Sequence, residues 1–274
     1  MQRAGALVLG LLSLLVFPGN LRAEDAPRSH ANLDWEAPYR WVHVDNLDPA
    51  KAGRFESARK SWLEALRKDD ALLGDGRPLF WHARASKAGQ TFFTFYPFRT
   101  WADLDARRLM IDRTQKELGE KAVKEYDRGD VALVSPHYSQ VWRREPDYDI
   151  ASEAAKDLTE RTAMAGRLEV HGMDVRRSED VDRAWKRIAN ALASSGYPLA
   201  CRAFSSTYGR GEVMLFWLAK DDDAYRAARP LRAEMERQFG KKEAEKLANA
   251  LQQNFPLQES YEVERRPDLS NLGK

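Results

Sequence analysis

Runs of apolar residues with two kinds of spacing predict the same series of elements twice along the chain. Strand-like runs rich in aromatic and β-branched residues span 39–47, 79–86, 90–98 and 137–145 in the first half, and 166–175, 198–206, 211–219 and 257–266 in the second. Between the first two strands of each half, apolar residues recur at helical spacing, at Phe55, Ala58, Trp62 and Leu66 and again at Val181, Trp185, Ile188 and Leu192. A charged helical region precedes each last strand. Each half is therefore predicted to follow the order β-α-β-β-α-β.

A shift of 121 positions superimposes the two halves. It pairs Phe95 with Phe216, Tyr96 with Trp217, Leu118-Gly119 with Phe239-Gly240, and Pro146-Asp147 with Pro267-Asp268. A glycine inside a helix costs about 1 kcal/mol relative to alanine, so the two matching glycines predict a helix break in each half. The shared order and spacing indicate an internal duplication of ferredoxin-like units.

The third strand of each half is apolar on both faces. In TFFTFY (91–96) and VMLFWL (213–218), large apolar side chains occupy odd and even positions alike. An antiparallel strand with one face in water would alternate apolar and polar residues, so something must cover the second face. The other half's sheet is the economical candidate. The predicted fold class is therefore α+β, with two ferredoxin-like βαββαβ repeats packed sheet to sheet as an intramolecular α+β barrel.

These features resemble the dimeric α+β barrel superfamily, which includes antibiotic-biosynthesis monooxygenase-like, EthD-like and chlorite dismutase-like proteins. The resemblance covers about residues 39–268 and lies in element order, duplication and the doubly apolar strands. It implies a barrel that often encloses a ligand or cofactor cavity. It also implies haem as one candidate cofactor, because chlorite dismutase-like proteins hold haem through a histidine of the second half. Here that half contains only His171, on a strand, which departs from their pattern.

The N-terminus has the three parts of a secretory signal. MQR is positively charged, an apolar run of 14 residues follows, and NLRA ends on a small residue. The run is shorter than the roughly 20 apolar residues that span a bilayer, which favours cleavage after Ala23 over a retained anchor. The prediction is an exported, periplasmic or secreted protein with no membrane span after cleavage. Its segments are a signal peptide (1–23), an N-terminal extension (24–38), repeat 1 (39–148), a helical linker (149–165), repeat 2 (166–269) and a tail (270–274).

Charge and cysteine content exclude several classes of protein. Basic and acidic residues balance in the mature chain, without the basic excess or stripe of a nucleic-acid-binding protein. The single cysteine, Cys201, excludes an intramolecular disulfide and is predicted to be a buried, inert thiol. The chain contains no HExxH, CxxC, P-loop, GxSxG or post-strand GxGxxG motif. The acidic run 221–223 is predicted to begin a helix rather than to bind a metal.

Histidines provide the candidate cofactor ligands. His43 and His171 lie in the two first strands, which suggests a shared metal or haem site at the barrel centre. The repeat alignment nevertheless pairs His43 with Val170, and a displacement of one residue reverses the face of a strand. The sequence therefore predicts no metal ligand and identifies no catalytic residue.

Nine residues are predicted to bind a ligand if they face the space between the repeats. They are His43, Trp81, His82, Tyr96, Tyr138, Trp142, His171, Arg202 and Trp217. Aromatic walls with a few directed polar groups are typical of a small-molecule site. The leading hypothesis is binding of a small, partly apolar molecule there. The alternatives are an oxygenase or haem-dependent enzyme, and a structural envelope protein whose aromatic residues simply fill the barrel.

Overall fold

A computed structural model describes residues 37–68, 79–86, 89–107, 138–172, 178–208 and 211–270, together with four single positions between 109 and 119. The predicted signal peptide, His30 and most of the second helical region of the first half lie outside these residues. None of the described helices is long and apolar enough to cross a membrane.

Eight strands form within three residues of their predicted bounds. They are β1 (Tyr39–Leu47), β2 (Leu79–Ser86), β3 (Gly89–Phe98), β4 (Tyr138–Arg144), β5 (Ala165–Gly172), β6 (Ala200–Ser206), β7 (Glu212–Ala219) and β8 (Leu257–Arg265). The α-helices with assigned bounds are α1 (Ala52–Lys68), α2 (Ser178–Ser194), α3 (Asp222–Ala227), α4 (Leu231–Phe239) and α5 (Lys241–Asn254). Residues 101–107 are also helical.

The strands close into one antiparallel barrel in the order β1-β3-β2-β8-β5-β7-β6-β4. Two short seams join the halves: β2 pairs with β8 around Trp81 and Arg265, and β4 pairs with β6 around Trp142 and Ser206. The sequence predicted two sheets packed face to face within a barrel, and the structure shows that their edges are also hydrogen-bonded. Such closure leaves no sheet edge exposed.

The barrel has an inner and an outer face, and the doubly apolar strands supply side chains to both. Phe95 and Phe216 point inward and belong to the interior cluster. Trp217, one residue further along β7, points outward and packs against Trp185 of α2. Helices cover the outer face and the opposite strands cover the inner face. The prediction that both faces of the third strands are covered is therefore confirmed.

Residues 150–164 form turns, where the sequence predicted a helical linker. Threonine hydroxyls compete with helical bonding here, because Thr162 Oγ1 accepts from the backbone N–H of Thr159 at 2.9 Å and donates to the carbonyl of Asp157 at 3.0 Å. Ala155 and Ala163 are buried in the interior cluster of the barrel. The segment therefore covers the end of the barrel at which β1, β2, β5 and β6 begin, which we call the closed end.

The second half shows the predicted helix break. Gly240 has a φ of 74° and separates α4 from α5, and Gly119 of the first half has a φ of 76°. A positive φ suits glycine because it carries no Cβ. Asp221 caps α3 by accepting from the N–H of Ala224 at 2.8 Å, which confirms the helix start predicted for the acidic run.

Candidate functional site

The structure divides the nine predicted ligand residues between the two faces of the barrel. Trp81, Trp142 and Arg202 face inward, as does Tyr138 at the end opposite the closed end. The other five lie on the outer face, and they are His43, His82, Tyr96, His171 and Trp217. Because successive side chains of a strand alternate in direction, each outward residue neighbours an inward one in sequence. A single shared pocket for all nine is therefore wrong.

The outward aromatic residues are packing groups under the helices. The guanidinium carbon of Arg107 lies 4.0 Å from the centre of the Tyr96 ring. Trp217 meets the rings of Trp185 and Tyr197, each at 6.4 Å between centroids. Tyr96 and Trp217 therefore lie outside the barrel interior. The sequence had predicted them as ligand residues only if they faced the space between the repeats.

The described histidines are separated along the outer face and do not converge. His43 Nε2 lies 3.0 Å from Asp45 Oδ1, and His171 Nδ1 lies 3.1 Å from the carbonyl oxygen of Phe255. His82 stacks on Phe92 with 4.6 Å between ring centroids. Within the described parts of the chain, no three His, Cys, Asp or Glu side chains form a group that could hold a metal ion. The histidine arrangement does not fit a shared haem or metal site at the barrel centre.

Aromatic side chains fill the barrel axis. Trp81 contacts Phe216 edge-on at 4.8 Å between ring centroids, and Phe95 stacks on Phe216 at 5.4 Å. All three side chains are less than 2% exposed. Phe93 then meets Tyr261 edge-on at 5.0 Å. The middle of the barrel is therefore a packed core, as expected for close-packed protein interiors.

Ion pairs fill the closed end of the barrel. Arg40 is fully buried, and its Nη2 lies 3.2 Å from Oε1 of Glu160, which belongs to the covering segment. Arg144 and Arg202 both reach Asp149 Oδ2, at 2.8 and 3.0 Å. Glu160 of the covering segment and Asp149, which directly precedes it, thus provide carboxylates for inward-facing arginines. Arg202, predicted as a ligand-binding residue, is part of this internal ion-pair network.

The opposite end, which we call the mouth, combines phenol and carboxylate groups from both halves. It consists of Tyr138, Gln140, Glu212, Glu259 and Tyr261. Gln140 Nε2 donates to Glu212 Oε2 at 3.1 Å, and the Tyr261 hydroxyl donates to Glu259 Oε2 at 2.9 Å. Tyr138 is 44% exposed. Two buried inward-facing residues lie next to these groups, since Phe93 contacts Tyr261 and Met214 follows Glu212 by two positions on β7.

The two phenols of the mouth are kept protonated. Partial burial, followed by the charges of Glu259 and Glu212, raises the pKa of Tyr138 to about 12. Burial and the adjacent Glu259 also raise the pKa of Tyr261. At neutral pH the mouth therefore presents hydroxyl donors beside carboxylate acceptors. This arrangement can bind a ligand by hydrogen bonds and aromatic contact.

The sequence identified Tyr138 but not its partners, although the repeat shift contained the signal. A shift of 121 takes Tyr138 to Glu259 and Gln140 to Tyr261. These residues occupy equivalent positions on the last strands of the two halves. Applying the shift to these positions of β4 would have identified Glu259 and Tyr261 as their counterparts.

Comparisons with known proteins show the fold. No protein-family model matches the chain, and no curated protein matches its sequence significantly. A candidate monooxygenase from Fusobacterium nucleatum has a TM-score of 0.52 at 11% identity over 84% of this chain and 92% of its own. One from Lactobacillus acidophilus has a TM-score of 0.50 at 11% identity, covering 86% and 96%. An anthrone oxidase-like protein has a TM-score of 0.50 at 14% identity, covering 85% and 92%. At 11–14% identity, these similarities show that the chain shares the fold of these proteins.

Proposed function

We propose that this is an exported protein that binds a small, partly apolar molecule at the mouth of the barrel, between its two halves. The observation that supports this most is the grouping of half-exposed Tyr138 with the bonded pairs Gln140–Glu212 and Tyr261–Glu259, next to the buried ring of Phe93. The sequence predicted a ligand in the space between the repeats, and because packed rings fill the middle of that space, the mouth is the favoured position.

The two halves are proposed to be duplicated ferredoxin-like repeats. Within the barrel order, the first half contributes β4-β1-β3-β2 and the second contributes β8-β5-β7-β6, which is the same arrangement twice. Both last strands are also followed by a short 3₁₀ helix, Pro146–Tyr148 and Pro267–Leu269. The mouth would then combine equivalent strand ends from two copies of one ancestral unit.

The ligand is expected to carry hydrogen-bond donors or a positive charge on an apolar body. Glu212 and Glu259 supply acceptors and negative charge, whereas Tyr138 and Tyr261 supply ring faces and hydroxyls. An apolar pocket with a small number of directed polar groups is the usual composition of a small-molecule site. An acidic ligand would be repelled by the carboxylates.

A fluorescence titration tests this proposal. The mature chain, residues 24–274, is titrated with N-phenyl-1-naphthylamine, a neutral aromatic amine whose emission rises in apolar surroundings. We expect saturable binding that weakens about tenfold in Tyr138→Ala and in Tyr261→Ala, since a buried aromatic anchor contributes 1 kcal/mol or more. Tyr208→Ala is the matched control, because Tyr208 is 67% exposed and contacts Trp101 on the outer side.

This titration also tests the structural hypothesis, and two further experiments test the haem-dependent enzyme and export. Absence of saturable binding, or equal binding by all variants, would contradict a ligand site at the mouth and favour a structural envelope protein with a filled barrel. The oxygenase alternative is supported by the fold alone. Its haem-dependent form predicts a sharpened Soret band when haemin is added, and loss of that band in His171→Ala. The export proposal predicts that the secreted or periplasmic protein begins at Glu24 in N-terminal sequencing.

A further inference from the structure

We propose that the closed end of the barrel contains a second site, which binds a small monovalent anion such as a carboxylate between β2 and β8. Its donors are the indole N–H of Trp81 and the guanidinium group of Arg265. Arg265 lies at the closed end, where it contacts Met164, and no residue of the mouth takes part in the site. The site is therefore independent of the function proposed above.

Strand register brings the two donors together. The N–H of Arg266 donates to the carbonyl of Phe80 at 2.8 Å, and the N–H of Phe80 donates to Ser270 Oγ, so Phe80 and Arg266 occupy a hydrogen-bonding position of the ladder with one bond between them. Hydrogen-bonded and non-hydrogen-bonded pairs alternate along an antiparallel ladder. The next pair, Trp81 and Arg265, is thus non-hydrogen-bonded, with Cα atoms about 4.5 Å apart and side chains closest. Both side chains follow the inward direction of Val263.

Several buried donors of this pair have no acceptor. Trp81 is fully buried, yet its Nε1 has no hydrogen-bond partner among the described residues. Within the described ranges, the buried Nε and Nη1 atoms of Arg265 likewise have no partner, and its Nη2 donates to the weak acceptor Met164 Sδ at 2.9 Å. Leaving a buried donor unsatisfied costs about 1–3 kcal/mol, and more for a charged group. An acceptor at this position would remove that cost.

The nearby carboxylates are already engaged elsewhere. Glu160 pairs with Arg40, while Asp149 accepts from both Arg144 and Arg202. Arg265 has no carboxylate partner within the described ranges of the chain, which distinguishes it from these three inward-facing arginines. A water molecule would satisfy the N–H groups without balancing the charge. An anion would do both.

The local field also favours a negative ligand. Burial and the neighbouring Arg161 lower the pKa of Arg265, which shows that positive charges repel each other at this position. Arg161 is exposed and Arg265 is partly exposed, whereas Trp81 is buried, so the site would extend from solvent into the barrel. The buried inner side restricts it to a small ligand. One formal charge beside one unpaired guanidinium indicates a monovalent anion.

Nuclear magnetic resonance of the indole N–H groups tests the site directly. The mature chain, labelled with ¹⁵N, is titrated with sodium acetate in chloride-free buffer, with ionic strength held constant by sodium sulfate. The Trp81 indole signal is assigned by its loss in Trp81→Phe. We expect that signal to shift saturably in the wild type. In Arg265→Gln we expect acetate to bind about tenfold more weakly or worse, because one charge-assisted hydrogen bond is lost.

A matched variant controls for general charge effects. Arg143→Gln removes an arginine of β4 whose side chain is 55% exposed and pairs with Glu145, so acetate binding should be unchanged. If Trp81→Phe does not fold, the decisive signal is the one that saturates in the wild type and fails to do so in Arg265→Gln. A non-saturable shift, or equal saturation in wild type and Arg265→Gln, would overturn the proposal and assign the space to water.

Discussion

Removing the carboxylate of Glu160 is expected to destabilise the protein strongly. Arg40 has a fully buried side chain, Glu160 has a side chain that is 3% exposed, and their nitrogen and oxygen atoms lie 3.2 Å apart. Glu160→Ala would remove the buried carboxylate that pairs with this guanidinium group, whose bonds to the carbonyls of Ala37 and Tyr39 would remain. Breaking one side of a buried ion pair costs about 3–5 kcal/mol. We expect a loss of that size in the free energy of unfolding.

Urea denaturation, followed by tryptophan fluorescence and circular dichroism, measures this loss. Glu153→Ala is the control, because the Glu153 side chain is 84% exposed and its pair with Lys156 should contribute at most about 1 kcal/mol. The double variant Arg40→Met/Glu160→Leu should recover most of the stability, since apolar groups can replace a buried pair. Limited proteolysis within 150–164 should accelerate in Glu160→Ala alone. Equal losses in Glu160→Ala and Glu153→Ala would refute the role of this segment as a packed cover.

Three further predictions concern the core, the helix break and the mouth. Phe216→Ala should cost about 3–5 kcal/mol in urea denaturation because Phe216 is fully buried on the filled axis, and a much smaller loss would indicate an unfilled barrel. Gly240→Ala should lower the melting temperature because the φ of Gly240 is positive, whereas Gly53→Ala in α1 should raise stability by up to about 1 kcal/mol. If both variants changed stability in the same direction, the positive φ of Gly240 would not be the cause. The raised pKa of Tyr138, about 12, favours its neutral form in the folded state, so stability should fall as pH rises from about 10 towards 12. Tyr138→Phe should reduce that dependence, and absorbance at 295 nm should show that the wild-type phenol is still largely protonated at about pH 11.

Strand positions were predictable because their signal is local. Alternation and β-branched or aromatic content located every strand of the barrel, and the 121-residue shift predicted that the halves would match. The doubly apolar strand around Phe216 also showed that both sheet faces are covered. These properties depend on neighbouring residues, which the sequence displays directly.

The linker shows where local signals mislead. Its alanines and charged residues predicted a helix over 149–165, but Ala155 and Ala163 pack into the barrel and Thr162 bonds to nearby backbone groups. Burial against a distant surface is a tertiary property that overrides helix propensity. The same limit applies to Glu160, whose partner Arg40 lies 120 residues away.

The sequence by itself determined the order of the strands and the doubly apolar third strands, and it predicted an internal duplication and export. Only the tertiary structure decided which face each residue joins. A shift of one position along a strand moves a side chain from the packed axis to the helix-covered exterior, which is why Trp217 lies outside while Phe216 lies inside. Closure of the barrel then placed Tyr138 beside Glu259 and Trp81 beside Arg265, because strand pairing between distant segments, rather than spacing along the chain, sets which groups meet.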